Sequence, residues 1–153
     1  MKLNYAEGTW FAVPLLSGGF GVGVVARTTS KGRVILVYLF GPKRESVPAL
    51  SEVIGLDPMV AVKVARIGDL NLINGEWPIL GRSPSWQRSR WPMPQFVRSD
   101  ELSRRAWIVF YSDDDPNRDI REEPVPYGTS ALGRNSVIGA GGVEIVLTDL
   151  LSS

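Results

Sequence analysis

The chain has 153 residues, of which 44% are hydrophobic and 22% charged, and its formal net charge is +1. This is the composition of a soluble globular protein, and the length fits one domain over residues 1–153 that buries a core without metals or disulfides. No apolar run reaches the roughly 18 residues that a membrane span requires, and the N-terminus has no signal-peptide core, so we expect a cytoplasmic protein.

The chain contains neither cysteine nor histidine. Without cysteine it has no disulfides, no thiolate nucleophile and no Cys-type metal site. Without histidine it lacks the usual general base near neutral pH and the commonest transition-metal ligand. We therefore expect a binding protein rather than an enzyme, with no cofactor and no metal.

The first part of the chain predicts three consecutive antiparallel strands, over Thr9–Leu15, Phe20–Arg27 and Arg33–Phe40. Gly21 and Gly23 fall on one face of the second strand, which permits a sharp bend or the close approach of another backbone. The same glycines match the loosest form of a dinucleotide-binding loop. Because a turn follows them instead of a helix, we interpret them as part of a bent strand.

The middle of the chain predicts a short helix near residues 47–54, with Ser46 as its N-cap and Gly55 after its end. Ile54 would face the core. Residues 59–67 predict a strand that turns Arg66 towards water, and residues 81–94 form an irregular loop rich in proline, serine, arginine and tryptophan.

The last part of the chain resumes extended structure at residues 95–98. Residues 99–105 are either a turn of helix or a polar hairpin loop, and residues 106–111 are a strand that we expect to join the same sheet. Residues 143–151 carry an apolar stripe at helical spacing, although their β-branched content leaves a strand as the alternative. The predicted fold is α+β, with a strongly bent, barrel-like antiparallel sheet, a short helix near 47–54 and a C-terminal helix.

The first candidate site is the Arg/Trp loop at residues 82–105, which contains six arginines and only two acidic residues. Its candidate contact residues are Trp86, Arg88, Arg90 and Trp91. Arginine with interleaved tryptophan suits a protein interface, but it also suits single-stranded nucleic acid, because guanidinium pairs with phosphate and indole stacks on bases. The structural alternative is that the tryptophans cap the core and the arginines solvate a loop.

The second candidate site is the acidic stretch at residues 113–123, which contains six acidic residues and only two arginines. It lacks the glycine and the spaced ligands of a calcium loop, so we interpret it as an acidic face that attracts a basic protein, with a solvated loop as the alternative. Its candidate contact residues are Asp113, Asp114, Asp115, Asp119, Glu122 and Glu123.

Several segments together resemble the immunity protein 26 family of bacterial polymorphic toxin systems. They are GTWFAVPL at 8–15, GFGVGVV at 19–25, GEWPILG at 75–81, PQF at 94–96 and GVE at 142–144. The resemblance runs from about Gly8 to Leu151. The chain departs from the family pattern at residues 7–9, where a Gly-Asp step is usual, and in its Arg-rich loop from Arg82 to Arg90.

The resemblance implies a small cytoplasmic β-rich protein that binds and inhibits a cognate toxin protein without catalysis. It also implies that Trp10, Pro14, Gly21, Gly23, Trp77 and Pro78 belong to the framework. Contacts with the toxin vary with the toxin, so the resemblance assigns none. The alternative is a nucleic-acid-binding module that uses the Arg/Trp loop, and the sequence leaves the oligomeric state open.

Overall fold

The computed structural model of the protein describes residues 2–130 and 132–152. The strands within these residues are β1 (Thr9–Pro14), β2 (Phe20–Arg27), β3 (Val34–Arg44), β4 (Lys63–Gly68), β5 (Ile79–Arg82), β6 (Phe96–Asp100), β7 (Arg105–Ser112), β8 (Asp115–Val125), β9 (Gly133–Arg134) and β10 (Val137–Ile138). The helices are α1 (Leu50–Val53), α2 (Leu70–Ile73) and α3 (Ala140–Leu151), with short 3-10 turns at Pro58–Val60 and Arg88–Arg90.

The strands form two bent sheets. The first sheet has the order β10-β4-β3-β2-β1-β5 and the second has the order β8-β7-β6-β9. All pairs are antiparallel except β10 with β4 and β9 with β6. The predicted α+β class, the strong bending and the C-terminal helix are confirmed, but neither sheet closes into a barrel.

Strand β7 lies in the second sheet and not, as we expected from the sequence, in the same sheet as β1 to β3. Residues 101–104 join β6 to β7 and residues 113–114 join β7 to β8, and such short connections favour pairing between sequence neighbours. The chain from β6 to β8 therefore pairs with its own sequence neighbours through tight turns.

Gly21 and Gly23 allow the close approach that their positions predict. A Cβ atom at Gly23 would lie 2.6 Å from Cζ of Phe11, which is its partner on β1. A Cβ atom at Gly21 would lie 2.5 Å from Cδ2 of Leu147 on α3. Both distances are shorter than side chains tolerate, so the two glycines let an aromatic ring and a helix pack directly on β2.

The first sheet is covered on both faces, because alternate residues of β1 to β3 enter two different apolar clusters. One face packs against α2, α3 and the fully buried Trp77, whose indole stacks on Phe11 with 5.6 Å between ring centroids. Trp77 also donates a hydrogen bond to Glu144 of α3 at 2.9 Å. The other face packs against α1, the segment that holds Trp91, and the second sheet.

Arg66 of β4 joins the two sheets. Although the sequence predicted it towards water, it is buried, and its Nε donates to the carbonyl oxygen of Pro116 at 2.7 Å. Its guanidinium lies 4.0 Å from the ring centroid of Tyr111, and both side chains hydrogen-bond to Asn135. Burial lowers the pKa of Arg66. The second sheet covers Arg66 of β4, and the sequence of β4 alone does not show this contact.

The helices differ from the sequence prediction in detail. Helix α1 begins after Ala49, whose N–H donates to Glu52 Oε2 at 2.7 Å, so Ser46 is not its N-cap. Residues 58–60 form a 3-10 turn capped by Asp57, which delays β4 until Lys63. Within the described residues, no helix has both the length and the apolar character needed to cross a membrane.

Candidate partner-binding site

The structure brings the Arg/Trp loop and the acidic stretch together at Arg88. The Arg88 guanidinium contacts Asp113 Oδ2 at 3.2 Å and Asp114 Oδ1 at 3.1 Å. On its other side, Arg88 Nε lies 2.9 Å from Glu7 Oε1. Burial lowers the pKa of Arg88, but these three carboxylates outweigh that effect and raise it above its ordinary value.

Asp113 is held from two sides. Besides Arg88, it accepts a hydrogen bond at 3.0 Å from Nε of Arg27, a buried residue of β2. The Asp113 backbone carbonyl also accepts from Arg88. Removal of Asp113 would leave the buried Arg27 guanidinium without its ion-pair partner, so this carboxylate links the β7–β8 turn to the first sheet.

The acidic stretch is largely neutralised within the protein. Asp113 and Asp114 pair with Arg88, Glu122 pairs with Arg98 at 2.6 Å, and Glu123 pairs with Arg121 at 3.4 Å. Asp114 still leaves 84% of its side chain exposed, and Asp115 and Asp119 form no ion pair within the described residues. The field of this stretch is therefore weaker than its residue count suggests.

The acidic stretch does not form one surface either. Glu122 pairs with Val109 and Glu123 with Ile108 in the β7–β8 ladder, so their side chains lie on opposite faces of the second sheet. The hydrogen bond from Arg98 lowers the pKa of Glu122, which keeps this pair charged. Asp113, Asp114 and Asp115 belong to the turn region beside Arg88, at the other end of β8.

Trp86 and Trp91 stack on each other, with 5.2 Å between ring centroids and 20° between ring planes. Trp91 is only 4% exposed and also meets Trp10 and Phe40 edge-on, so it lies in the core beneath Trp86. Trp86 is half-buried, and its indole N–H donates to Glu7 Oε1 at 3.1 Å. Of the two tryptophans, Trp86 is the one that a partner can touch.

Gly8 lies in close contact with the Trp86 side chain. Its φ is +91°, and a Cβ atom there would lie 3.1 Å from Cγ of Trp86. This positive φ and this close contact both favour glycine at position 8, which lets the Trp86 ring pack directly against the backbone there.

A cleft of about 130 Å³ opens beside Trp86. Its lining includes Ile54, Pro84, Trp86, Gln87, Arg90 and Trp91. Arg90 lies 3.7 Å from Asp57 at the rim. Two residues beyond Asp57 stands Met59, which is 89% exposed, followed by the exposed Val60. We call the cleft with Met59 and Val60 the Trp86 surface.

The sequence did not predict that Ile54, Met59 and Val60 belong to this surface. Ile54 was assigned to the core because its spacing on the short helix suited a buried face, and residues 59 and 60 were assigned to a strand. Instead, Ile54 is exposed at the end of α1, and the 3-10 turn at Pro58–Val60 exposes Met59 and Val60. Asp57 before a proline was the available signal for this turn.

Four of the six arginines of the Arg/Trp loop are engaged within the protein, whereas Arg104 and Arg105 form no ion pair within the described residues. Arg88, Arg90 and Arg98 are each paired with carboxylates, and Arg82 donates to the Glu7 carbonyl at 2.8 Å. Single-stranded nucleic acid needs unpaired cations along a groove with open aromatic faces.

Within the described residues no three carboxylates come together as a metal site.

An aromatic ring, an isoleucine and an arginine that line a cleft, with the exposed Met59 on the neighbouring turn, are typical of a protein–protein interface. The family model of Immunity protein 26 matches residues 6–108, which is most of the chain, so the protein belongs to the immunity protein 26 family. No curated protein and no solved structure matches it. The match covers β1 to β6, the Arg/Trp loop and the Trp86 surface, and it ends within β7, before the acidic stretch.

Proposed function

We propose that this protein is an immunity protein that binds one copy of a cognate bacterial toxin domain and inhibits it, without catalysis of its own. Its membership of the immunity protein 26 family is the observation that supports this function. The whole chain acts as one domain in the cytoplasm of the producing cell. The toxin is inhibited because the bound protein covers its active site or holds it in an inactive form.

The Trp86 surface is the proposed principal contact. Trp86 is already fixed by Trp91, Gly8 and Glu7, so little conformational entropy is lost when a partner packs on it. Ile54 offers apolar area in the cleft, the exposed Met59 and Val60 extend the proposed contact beyond it, and Arg90 offers a charged rim. Such a centre with a polar border is where binding energy concentrates in protein interfaces.

Arg88 and residues 113–119, which we call the acidic turn, extend this contact at its edge. Asp114 is exposed although it touches Arg88, and Asp115 and Asp119 add charge nearby. These carboxylates attract a basic toxin and speed association, while Asp113 keeps the turn in place. Glu122 and Glu123, which pair with arginines of the second sheet, contribute least to this attraction.

The first experiment is co-expression of this protein with the product of the gene immediately upstream. We expect this protein to rescue the growth defect that the partner causes. Trp86→Ala should weaken the purified complex about 10- to 100-fold, as expected when an interface anchor is truncated. Leu70→Ala is the matched control, because Leu70 is 64% exposed on α2, against the other face of the first sheet.

A second pair of variants tests the acidic turn. Asp114→Lys with Asp119→Lys should slow association several-fold at low salt and have little effect at high salt, because exposed charges are screened. Unchanged association at low salt would remove the acidic turn from the interface. No rescue and no complex with the wild-type protein would contradict the proposed function itself.

A further inference from the structure

The turn between β6 and β7 carries the most exposed apolar side chain among the described residues. Asp100 pairs with Arg105 and closes the hairpin, and residues 101–104 form its tip. We call residues 101–104 the hairpin tip. Leu102 within it is 98% exposed. Turns usually carry polar residues or glycine, so this leucine is not explained by the needs of the turn.

The backbone of the hairpin tip is ordered by its own hydrogen bonds. Asp100 Oδ1 accepts from the N–H of Leu102 at 3.0 Å and from the N–H of Ser103 at 3.4 Å. Arg104 completes the turn with a φ of +54°, and its guanidinium lies 4.9 Å from the ring centroid of Tyr127. These contacts support the backbone of the tip without any contribution from the Leu102 side chain.

The strands behind the hairpin tip are braced as well. Arg98 of β6 stacks over Trp107 of β7 at 4.1 Å and pairs with Glu122 of β8 at 2.6 Å. This set of contacts links all three strands on one face of the second sheet. The tip is thus mounted on a supported hairpin.

Residues 101–104 are all exposed, so the hairpin tip projects from the protein, and two clefts border it. One cleft of about 490 Å³ is lined by Ser99, Glu101 and residues of the segment 128–136. The other, of about 320 Å³, is lined by Arg104, Arg105 and Trp107. Leu102 lines neither of these two clefts.

We propose that the hairpin tip is a second contact with the toxin domain, in which Leu102 enters a concave apolar site on the toxin. This inference rests on the proposed function. Glu101, Arg104 and Arg105 neighbour Leu102 in the chain, so a complementary site would carry basic groups opposite Glu101 and acidic groups opposite the two arginines. Single exposed apolar side chains are common, but here the side chain is presented on an ordered, projecting turn, which keeps the entropic cost of binding low.

The test measures the affinity of the complex between this protein and the toxin domain encoded immediately upstream. Leu102→Asp should weaken the complex about 10- to 100-fold, because it places a charge where an apolar group would be buried. Leu102→Met should bind like wild type. Leu70→Asp is the matched control, and thermal melts of all variants should coincide, since Leu102 supports no other residue.

A further pair of variants separates the order of the hairpin tip from its side chain. Asp100→Ala removes the oxygen that accepts from Leu102 and Ser103, and it should weaken the complex several-fold. Asp100→Asn keeps an oxygen in that place and should restore most of the affinity. A merely structural role would instead lower thermal stability in parallel with affinity.

The outcomes distinguish this inference from the proposed function. If Leu102→Asp binds as tightly as wild type while Trp86→Ala binds weakly, the hairpin tip is not a contact and the immunity function stands. If the wild-type protein forms no complex, the proposed function fails and this inference fails with it.

Discussion

The two sheets are stabilised in different ways. In the first sheet almost every residue of β1 and β2 is buried, and apolar side chains cover both faces. In the second sheet nearly every residue of β8 is exposed, and guanidinium groups of Arg66, Arg98 and Arg121 lie over aromatic rings. The first sheet thus provides the stability, while the second carries the proposed hairpin-tip contact and the acidic residues on exposed strands and turns. Surface variants there should change binding without unfolding the protein.

The largest expected change in the free energy of unfolding comes from truncating Trp77, which packs on the first sheet. Trp77→Ala should lower the free energy of unfolding by about 3–5 kcal/mol, because it leaves a cavity beside Phe11. Urea denaturation measures this change. Trp77→Phe is the control: it keeps most of the volume but loses the hydrogen bond to Glu144, so it should cost distinctly less. A loss below 1 kcal/mol for Trp77→Ala would show that the stability does not lie in this face.

A smaller effect is expected at the contact between the two sheets. Arg66→Met should cost about 1–3 kcal/mol, because the Pro116 carbonyl and the Asn135 side chain lose a buried donor. Hydrogen exchange should show faster opening of β7 and β8 and little change in β1 to β3. Arg66→Lys keeps the charge but not the planar stacking, and it should be intermediate. Equal acceleration in both sheets would contradict the division between them.

The pair of Arg98 and Glu122 should contribute less again. A double-mutant cycle with Arg98→Ala and Glu122→Ala should give a coupling energy of about 0.2–1 kcal/mol, which added salt reduces, because both groups reach solvent. The hydrogen bond between them raises the pKa of Arg98 and lowers that of Glu122. Coupling that is unaffected by salt would mean that the pair is better shielded than its exposure indicates.

The smallest effect is local and depends on pH. The N–H groups of Ser103 and Leu102 lower the pKa of Asp100, so its charge stabilises the folded turn above the ordinary pKa of about 4. This contribution is lost as the pH falls through the lowered folded-state pKa. Amide NMR signals of Leu102 and Ser103 should therefore shift below about pH 4 in the wild type and not in Asp100→Asn. An identical acid shift in both proteins would exclude Asp100 as its cause.

The first sheet was largely predictable, because its signals are local. Alternation and turn residues placed β1 to β3, and the glycines at 21 and 23 indicated close packing before Phe11 and Leu147 were known to fill the space. The C-terminal helix followed from its apolar stripe, of which Val143 and Leu147 are buried. In these segments a short window of sequence contains most of the interactions that decide the structure.

The second sheet and the Trp86 surface were harder to predict, because contacts distant in sequence decide them. Strand β8 is a polar edge strand without alternation, so only its pairing with β7 identifies it. Trp91 lies in an irregular loop, yet Trp10 and Tyr38 from two strands enclose it. Arg88 pairs with Glu7, which is 81 positions away in the sequence, and with Asp113, which is 25 positions away. No local sequence pattern shows such contacts.

The most direct test of the immunity function is a titration of the toxin domain encoded immediately upstream with this purified protein. The mass of the complex should be measured by light scattering in the same experiment. We predict a complex of one copy of each protein, with toxin activity abolished at equivalence. Full toxin activity in the presence of excess protein, with no complex at any ratio, would contradict the account.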